Sequence, residues 1–600
     1  MKAAIVAIAM LVACGPGPRN GPGDDDGSNG SNGNDLMGAS CSSDLHSVLD
    51  GSGNVIGTCP ADQGCENGMC VPACDAAAAS HGTVGCDFVI ATASFLPSIA
   101  PPCFAAFLAN NWPLDSTVTI SRDGTTYDAA TYGRVPDGTQ NSASWPAIPS
   151  TGIASENVGV LFLSTDPAAA NGPMPMTCPI PAAVQVTGGA AVWDGAANRN
   201  ATGLGAAFHI TTSVPVSAYD IMPYGGAASF LPSAELILPT TAWGTNYVTA
   251  GPNPSSPGPA GEMTPPGPGW GQIVAATDNT TVQITPTSSL PAGTGVAAAP
   301  QGTTTSYTLN AGQYIQWQDA GEMAGSVITS NNPVSFTGGS GYLCLASLTS
   351  PGAGGCDSGH QLIPPVSALG SLYAVPPYAT RAASLAPESI IYRLVGTVAG
   401  TTLTYSPAIS GAPAALNVGQ VVEFQTTQPF VVQSQDAMHP FYVAQYMSGC
   451  NVTGGTRSGD VGEDDGFGDI VHCLGDEEYV NILPPAQWLS SYVFFTDPTY
   501  ATTNLVITRA ADATGAFHDV TVDCLGAIAG WQPVGDGTQY QTTNVDLQRL
   551  TPVGTCKNGR QTASSDGAFN VMVWGLDTAA SYAYPAGGNV GKINQVVVIQ

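Results

Sequence analysis

The chain has 600 residues, of which 43% are hydrophobic and only 9% charged, and 43 Asp plus Glu against 13 Lys plus Arg give a formal net charge of −30. A surface of that sign repels phosphate backbones, and three lysines (Lys2, Lys557, Lys592) make no basic stripe, so nucleic acid is excluded as a partner. Gly, Thr, Ser, Asn and Pro fill the polar positions, and 73 Gly and 48 Pro without a three-residue period point to strands and turns rather than long helices or collagen.

Residues 1–13 read as an export signal: Met1-Lys2 supplies the positive start, and Ala3 to Met10 the apolar run. The ending Leu11-Val12-Ala13-Cys14 resembles the lipobox of bacterial lipoproteins, which implies that Cys14 is acylated and becomes the new N-terminus. Gly15 stands where an inner-membrane retention signal would resemble Asp, so the expected location is the outer membrane or cell surface of a Gram-negative bacterium. The membrane is met through lipid alone, because no later stretch is long and apolar enough to span it. Residues 14–40, rich in Gly, Pro, Asn and Asp, form a flexible tether with a reach of about 28 Å.

Residues 41–86 hold Cys41, Cys59, Cys65, Cys70, Cys74 and Cys86, a density that suits a small disulfide-stapled module, since so short a segment buries too little core to stand alone. Zinc is disfavoured because Cys-x-x-Cys pairs are missing. Eight more cysteines lie far apart. Pairing neighbours gives the simplest scheme of local loops: Cys103 with Cys178, Cys344 with Cys356, Cys450 with Cys473, and Cys524 with Cys556.

From residue 87 to 600 the chain reads as a repeated β region. Thr117 to Ser121, Thr281 to Thr285 and Thr402 to Ser406 alternate polar and apolar residues with period two. Leu309-Asn310-Ala311-Gly312-Gln313 matches Leu416-Asn417-Val418-Gly419-Gln420, with the glycine at a tight turn between strands. Pro215, Pro333 and Pro429 are each expected to open an apolar strand. Pro239, Pro365 and Pro484 are followed four residues on by Trp243, Leu369 or Trp488, and eight residues on by Tyr247, Tyr373 or Tyr492. The expected fold is all-β, with roughly four antiparallel sandwich-like units of about seven strands each; a β-propeller would show the same repeat.

Two stretches carry a family resemblance. Pro215 to Gly226, continuing through Leu238 to Tyr247, and Ile273 to Val282 are similar to the N-terminal domain of IgGFc-binding protein, as is the end from Val573 to Asn589. The resemblance covers residues 84 to 600 and implies a binding domain. The mucin-like assembly of the animal family is not implied, since von Willebrand type D repeats and a Gly-Asp-Pro-His motif are missing from this sequence.

No catalytic constellation emerges. The seven histidines never pair as His-x-x-x-His, and Gly-x-Ser-x-Gly does not occur. The one candidate metal site is the loop holding Asp460, Glu463, Asp464, Asp465 and Asp469, whose carboxylates suit Ca²⁺; a solvated acidic loop is the bland alternative, and no other cofactor is expected. Trp112, Trp145, Trp193, Trp270 and Trp531 are either loop anchors or core plugs. The sequence therefore points to a non-catalytic cell-surface lipoprotein that binds a protein or glycan partner in adhesion or recognition. The alternatives are a secreted carboxylate-dependent hydrolase and a purely structural envelope protein.

Overall fold

Four copies of one strand order account for the β region. The computed structural model describes residues 39–599, apart from 43, 96–99, 140, 172–175, 186–201, 226, 228, 230, 253–268, 320–321, 346–347, 349–355, 451–455 and 465–468. The export signal, Cys14 and almost all of the tether lie outside the described residues.

Each unit is a two-sheet sandwich organised by a long strand. In the first unit this strand is Phe208–Met222. Its first half pairs with Val84–Ile90 and Val118–Arg122, and its second half with Phe104–Asn110 and Ser233–Ile237. The same rule holds for Val327–Leu343 and Gly559–Asp577 in the second and fourth units. In the third unit the long strand is broken into Phe430–Ser434 and Phe441–Met447, and the two sheets separate.

The repeated sequence signals mark these joints. Gly312 and Gly419 adopt φ of 75° and 69°, a region that L side chains rarely enter. In both turns the Asn N–H donates to the Gln side chain, Asn310 to Gln313 at 2.9 Å and Asn417 to Gln420 at 3.0 Å. The three tyrosines are latches. Tyr247, Tyr373 and Tyr492 each accept a hydrogen bond from the N–H of Gly244, Gly370 or Leu489, and each donates to the carbonyl of Val334, Phe441 or Phe569. Those acceptors sit where the long strand crosses between sheets. The expectation for proline is corrected at this point. Pro429 does open the strand Phe430–Ser434, but Pro215 and Pro333 lie inside a long strand near its bend, and their equivalent in the third unit is Pro440. The missing N–H of proline suits a place where the ladder changes partners.

The units close into a ring. Each ends on a short inner strand: Ser233–Ile237, Asp357–Leu362, Glu478–Asn481 and Ala580–Pro585. The first inner strand packs on the second, the second on the third, the third on the fourth and the fourth on the first. All four run the same way, since Ser358 and Gln361 meet Leu231 and Ala234, Gly359 and Gln361 meet Tyr479 and Asn481, and Asp476 and Glu478 meet Ser581 and Ala583 in the same order. The sandwich expectation holds within a unit, and the arrangement between units follows the propeller alternative. Apolar cores lie at the unit borders; Phe107 of the first unit stacks on Phe495 of the fourth at 4.7 Å.

The ring therefore has two faces. On one, the chain leaves each of the first three inner strands through a single 3₁₀ turn, at Thr240–Ala242, Val366–Ala368 and Pro485–Gln487. There Pro239, Pro365 and Pro484 press on Gly85, Gly244 and Gly370, where a β-carbon would collide. The C-terminal tail crosses this turn face: Asn589 N–H donates to Gln487, Ile593 N–H to Ser367, and Val598 N–H to Asn246. Thr83 and Gly588 exchange two hydrogen bonds, joining the start of the first unit to the end of the fourth.

The cysteine-rich module adjoins this turn face. Its bridges are Cys41–Cys65, Cys59–Cys70 and Cys74–Cys86, the last tying the helix Ala73–Ser80 to the first strand of the ring. Trp112 seals the joint, donating from Nε1 to the Ala61 carbonyl at 2.9 Å. Among the described residues no helix is long and apolar enough to cross a membrane.

Candidate binding face and the acidic axis beneath it

At the opposite end of the ring, the chain turns from each long strand into its inner strand. The four connections are 223–232, 344–356, 448–477 and 578–579. Two are closed by bridges, Cys344–Cys356 and Cys450–Cys473, while Cys103–Cys178 lies beside the first, where Tyr224 N–H donates to the Cys103 carbonyl. These are the neighbour pairs, as is Cys524–Cys556 on the fourth unit.

The longest connection, 448–477, laces three units together. Gly449 N–H donates to Leu345 of the second unit, Arg457 N–H to Arg381 of the third, and Val461 N–H to the Asp577 carboxylate of the fourth. Asp460 is buried and its carboxylate is taken up: it accepts from Cys473 N–H at 2.8 Å and lies 3.0 Å from His472 Nδ1. Beyond this root a small hairpin projects, pairing Glu463 with Val471 and Asp464 with Ile470. Val461, Ile470 and Val471 are 67%, 56% and 48% exposed, beside exposed Glu463, Asp464 and Asp469. Asp465 lies outside the described residues. The structure thus separates the four described residues of the expected calcium loop into one buried anchor, Asp460, and three exposed residues at the hairpin, Glu463, Asp464 and Asp469. Ile470 and Val471, consecutive in one strand, present apolar side chains on opposite faces of this rooted hairpin, with Val461 exposed at its base.

Under this loop face the ring axis is acidic. Glu478 stands at its centre, accepting from Tyr479 N–H of its own unit, from Ser233 Oγ of the first and from Ala583 N–H of the fourth. Burial raises its pKa well above the usual carboxylate range, against the lowering effect of those three donors. Burial likewise raises Asp357, with the charges of Asp476 and Glu478 adding to it, and raises Glu477, with Asp476 adding to it. Asp476 is also raised by burial, while Glu477 as a hydrogen-bond partner and the Arg381 charge pull it back down. Arg381 is itself committed to Glu388, with Nη2 2.8 Å from Oε2. Three surface clefts are lined by other residues, and these carboxylates are buried inside the frame of the ring.

Sequence reading missed this axis. A signal did exist, because Glu235, His360 and Glu478 all fall within six residues before the repeated prolines, in runs that otherwise read as buried strand. The tryptophan lead resolves toward packing: Trp112, Trp145 and Trp270 are buried, and Trp531 is half-buried under the Arg509 guanidinium, 4.0 Å from its ring centre. Trp193 lies outside the described residues.

With this geometry in hand, comparison with protein-family models finds one match, IgGFc binding protein, over residues 233–575. That span is more than half of the chain, opening on the first inner strand and ending inside the last long strand. The chain belongs to the IgGFc binding protein family. The family segment holds three of the four inner strands complete, the three tyrosine latches and the whole of the 448–477 connection. No curated protein and no solved structure matches the chain.

Proposed function

We propose that this protein is a non-catalytic recognition module, held at the surface of a Gram-negative cell by lipid on Cys14, and that it binds a protein partner through the loop face. The observation that carries this reading is the exposed apolar hairpin around Val461, Ile470 and Val471, rooted by hydrogen bonds in three units of a closed ring. A rigid root lowers the ordering cost of contact, which favours binding. The family name refers to a protein ligand, the Fc part of immunoglobulin G, and supports a protein partner as the class. The placement of the module supports the orientation: it adjoins the turn face, so a tether leading into Ser40 leaves the loop face pointing away from the membrane. Calcium at the acidic hairpin and a glycan ligand are finer forms of the same reading.

The test compares the wild-type chain with an Ile470→Ser/Val471→Ser variant for binding to isolated outer-membrane proteins, to immunoglobulin Fc and to a glycan array. Saturable binding to a protein, weakened at least tenfold in the variant while the melting temperature is kept, is the expected result. Binding to nothing in any arm would remove recognition and leave a structural envelope role.

A further inference from the structure

Asp220, Glu235 and His360 meet where the first unit joins the second. Asp220 lies on the long strand and Glu235 directly across from it on the inner strand, as register partners. His360 arrives from the inner strand of the second unit, with Nε2 3.0 Å from Asp220 Oδ1. One ligand atom from each of the three falls within 4.8 Å of the others. All three side chains are buried, at 1%, 6% and 1% exposure.

Two carboxylates facing each other at that depth need either a shared proton or a cation between them. Among the described residues their only ionic partner is His360, through Asp220. Glu235 Oε2 is buried with no hydrogen-bond donor, although its carboxylate accepts from the Leu362 N–H and lies within hydrogen-bonding reach of Asp220. Buried acceptors are almost always satisfied, and although Asp357, Asp476, Glu477 and Asp497 also hold an unpartnered oxygen, only here among the described residues does such an oxygen meet a second carboxylate and an imidazole nitrogen in one cluster.

We infer that Asp220, Glu235 and His360 form a binding site for one divalent transition-metal ion, of which Zn²⁺ is the best match. Zinc takes imidazole nitrogen and carboxylate oxygen at about 2.0–2.2 Å in tetrahedral geometry, which puts neighbouring ligand atoms about 3.3 Å apart. The 3.0 Å between Asp220 and His360 is close to that edge. The imidazole argues against Ca²⁺ and Mg²⁺, which take oxygen ligands. Because its ligands come from two units, the ion staples that border of the ring, and because the site is buried it is filled on folding.

The test uses the purified full chain. Elemental analysis should find about one equivalent of zinc per chain after expression with zinc in the medium. Chain refolded with Zn²⁺ should melt several degrees above chain refolded with EDTA, since a ligand that binds only the native state stabilises it. Glu235→Gln copies the protonated carboxyl at equal volume and folds under either reading; His360→Gln is the second variant. Both should lose the metal and the Zn²⁺-dependent shift. Wild-type chain that carries no divalent metal and melts alike in Zn²⁺ and EDTA would overturn the site, and the pair then shares a proton. A Glu235→Gln chain that holds as much zinc as wild type would also overturn it, by placing the metal elsewhere.

Discussion

The two ends of the ring solve the same joining problem with different chemistry. At the turn face the junctions are copies of one another: proline against glycine, a 3₁₀ turn, and a tyrosine whose hydroxyl both accepts and donates to backbone. At the loop face nothing repeats. The connections differ in length, two are held by disulfides, and the strands beneath them meet through carboxylates. Repetition at one end serves assembly, where every border faces the same packing task. Its loss at the other end leaves those surfaces to serve contact with something else.

The strongest way to break that comparison is at the axis. Glu478→Ala leaves three donors from three units without an acceptor in a fully buried place. A loss of about 3–5 kcal/mol is expected in urea unfolding, larger than for any single latch. At the turn face, Tyr373→Phe removes a hydroxyl that serves both Gly370 N–H and the Phe441 carbonyl, and should cost about 1–3 kcal/mol. Tyr247→Phe and Tyr492→Phe should fall in the same range. Three unequal values would show that the latches are not equivalent and would weaken the contrast between the faces.

The equivalence of those latches shows what the sequence could and could not disclose. The Leu-Asn-x-Gly-Gln turn was legible because a positive φ demands glycine, and the tyrosine spacing was legible because each unit needs the same latch. The proline register slipped by one element, since Pro429 opens the first half of a divided long strand while Pro440 marks its bend. Ring closure was not legible, because Thr83 and Gly588 join largely through backbone groups that any residue could supply. The axis was hidden because its members come from three different units. Asp476-Glu477-Glu478 reads in isolation as a solvated charge run, yet all three are buried. The hairpin was legible as an acidic loop, but not the division between a buried Asp460 and exposed neighbours.

A smaller effect sharpens the contrast through pH. Asp357, Glu477 and Glu478 have raised pKa values when folded, so the native state holds protons that the unfolded chain releases above about pH 4. Their contribution to stability is complete below that point and is lost as pH rises through the raised values. Urea midpoints should therefore fall from mildly acid toward neutral and alkaline pH. A midpoint that rises over that window would mean the axis is ionised and compensated by bound cations. The smallest effect belongs to the loop tip: Ile470→Ser/Val471→Ser should shift stability by no more than about 0.5 kcal/mol, since both side chains are already exposed.

Closure of four units about one acidic axis is what gives the loop face its rigidity, and small-angle X-ray scattering of a chain beginning at Ala39 tests it most directly. A closed ring of this length should give a radius of gyration of about 24 Å. Four such units strung in a line would give about 40 Å, and a value near that would contradict the account.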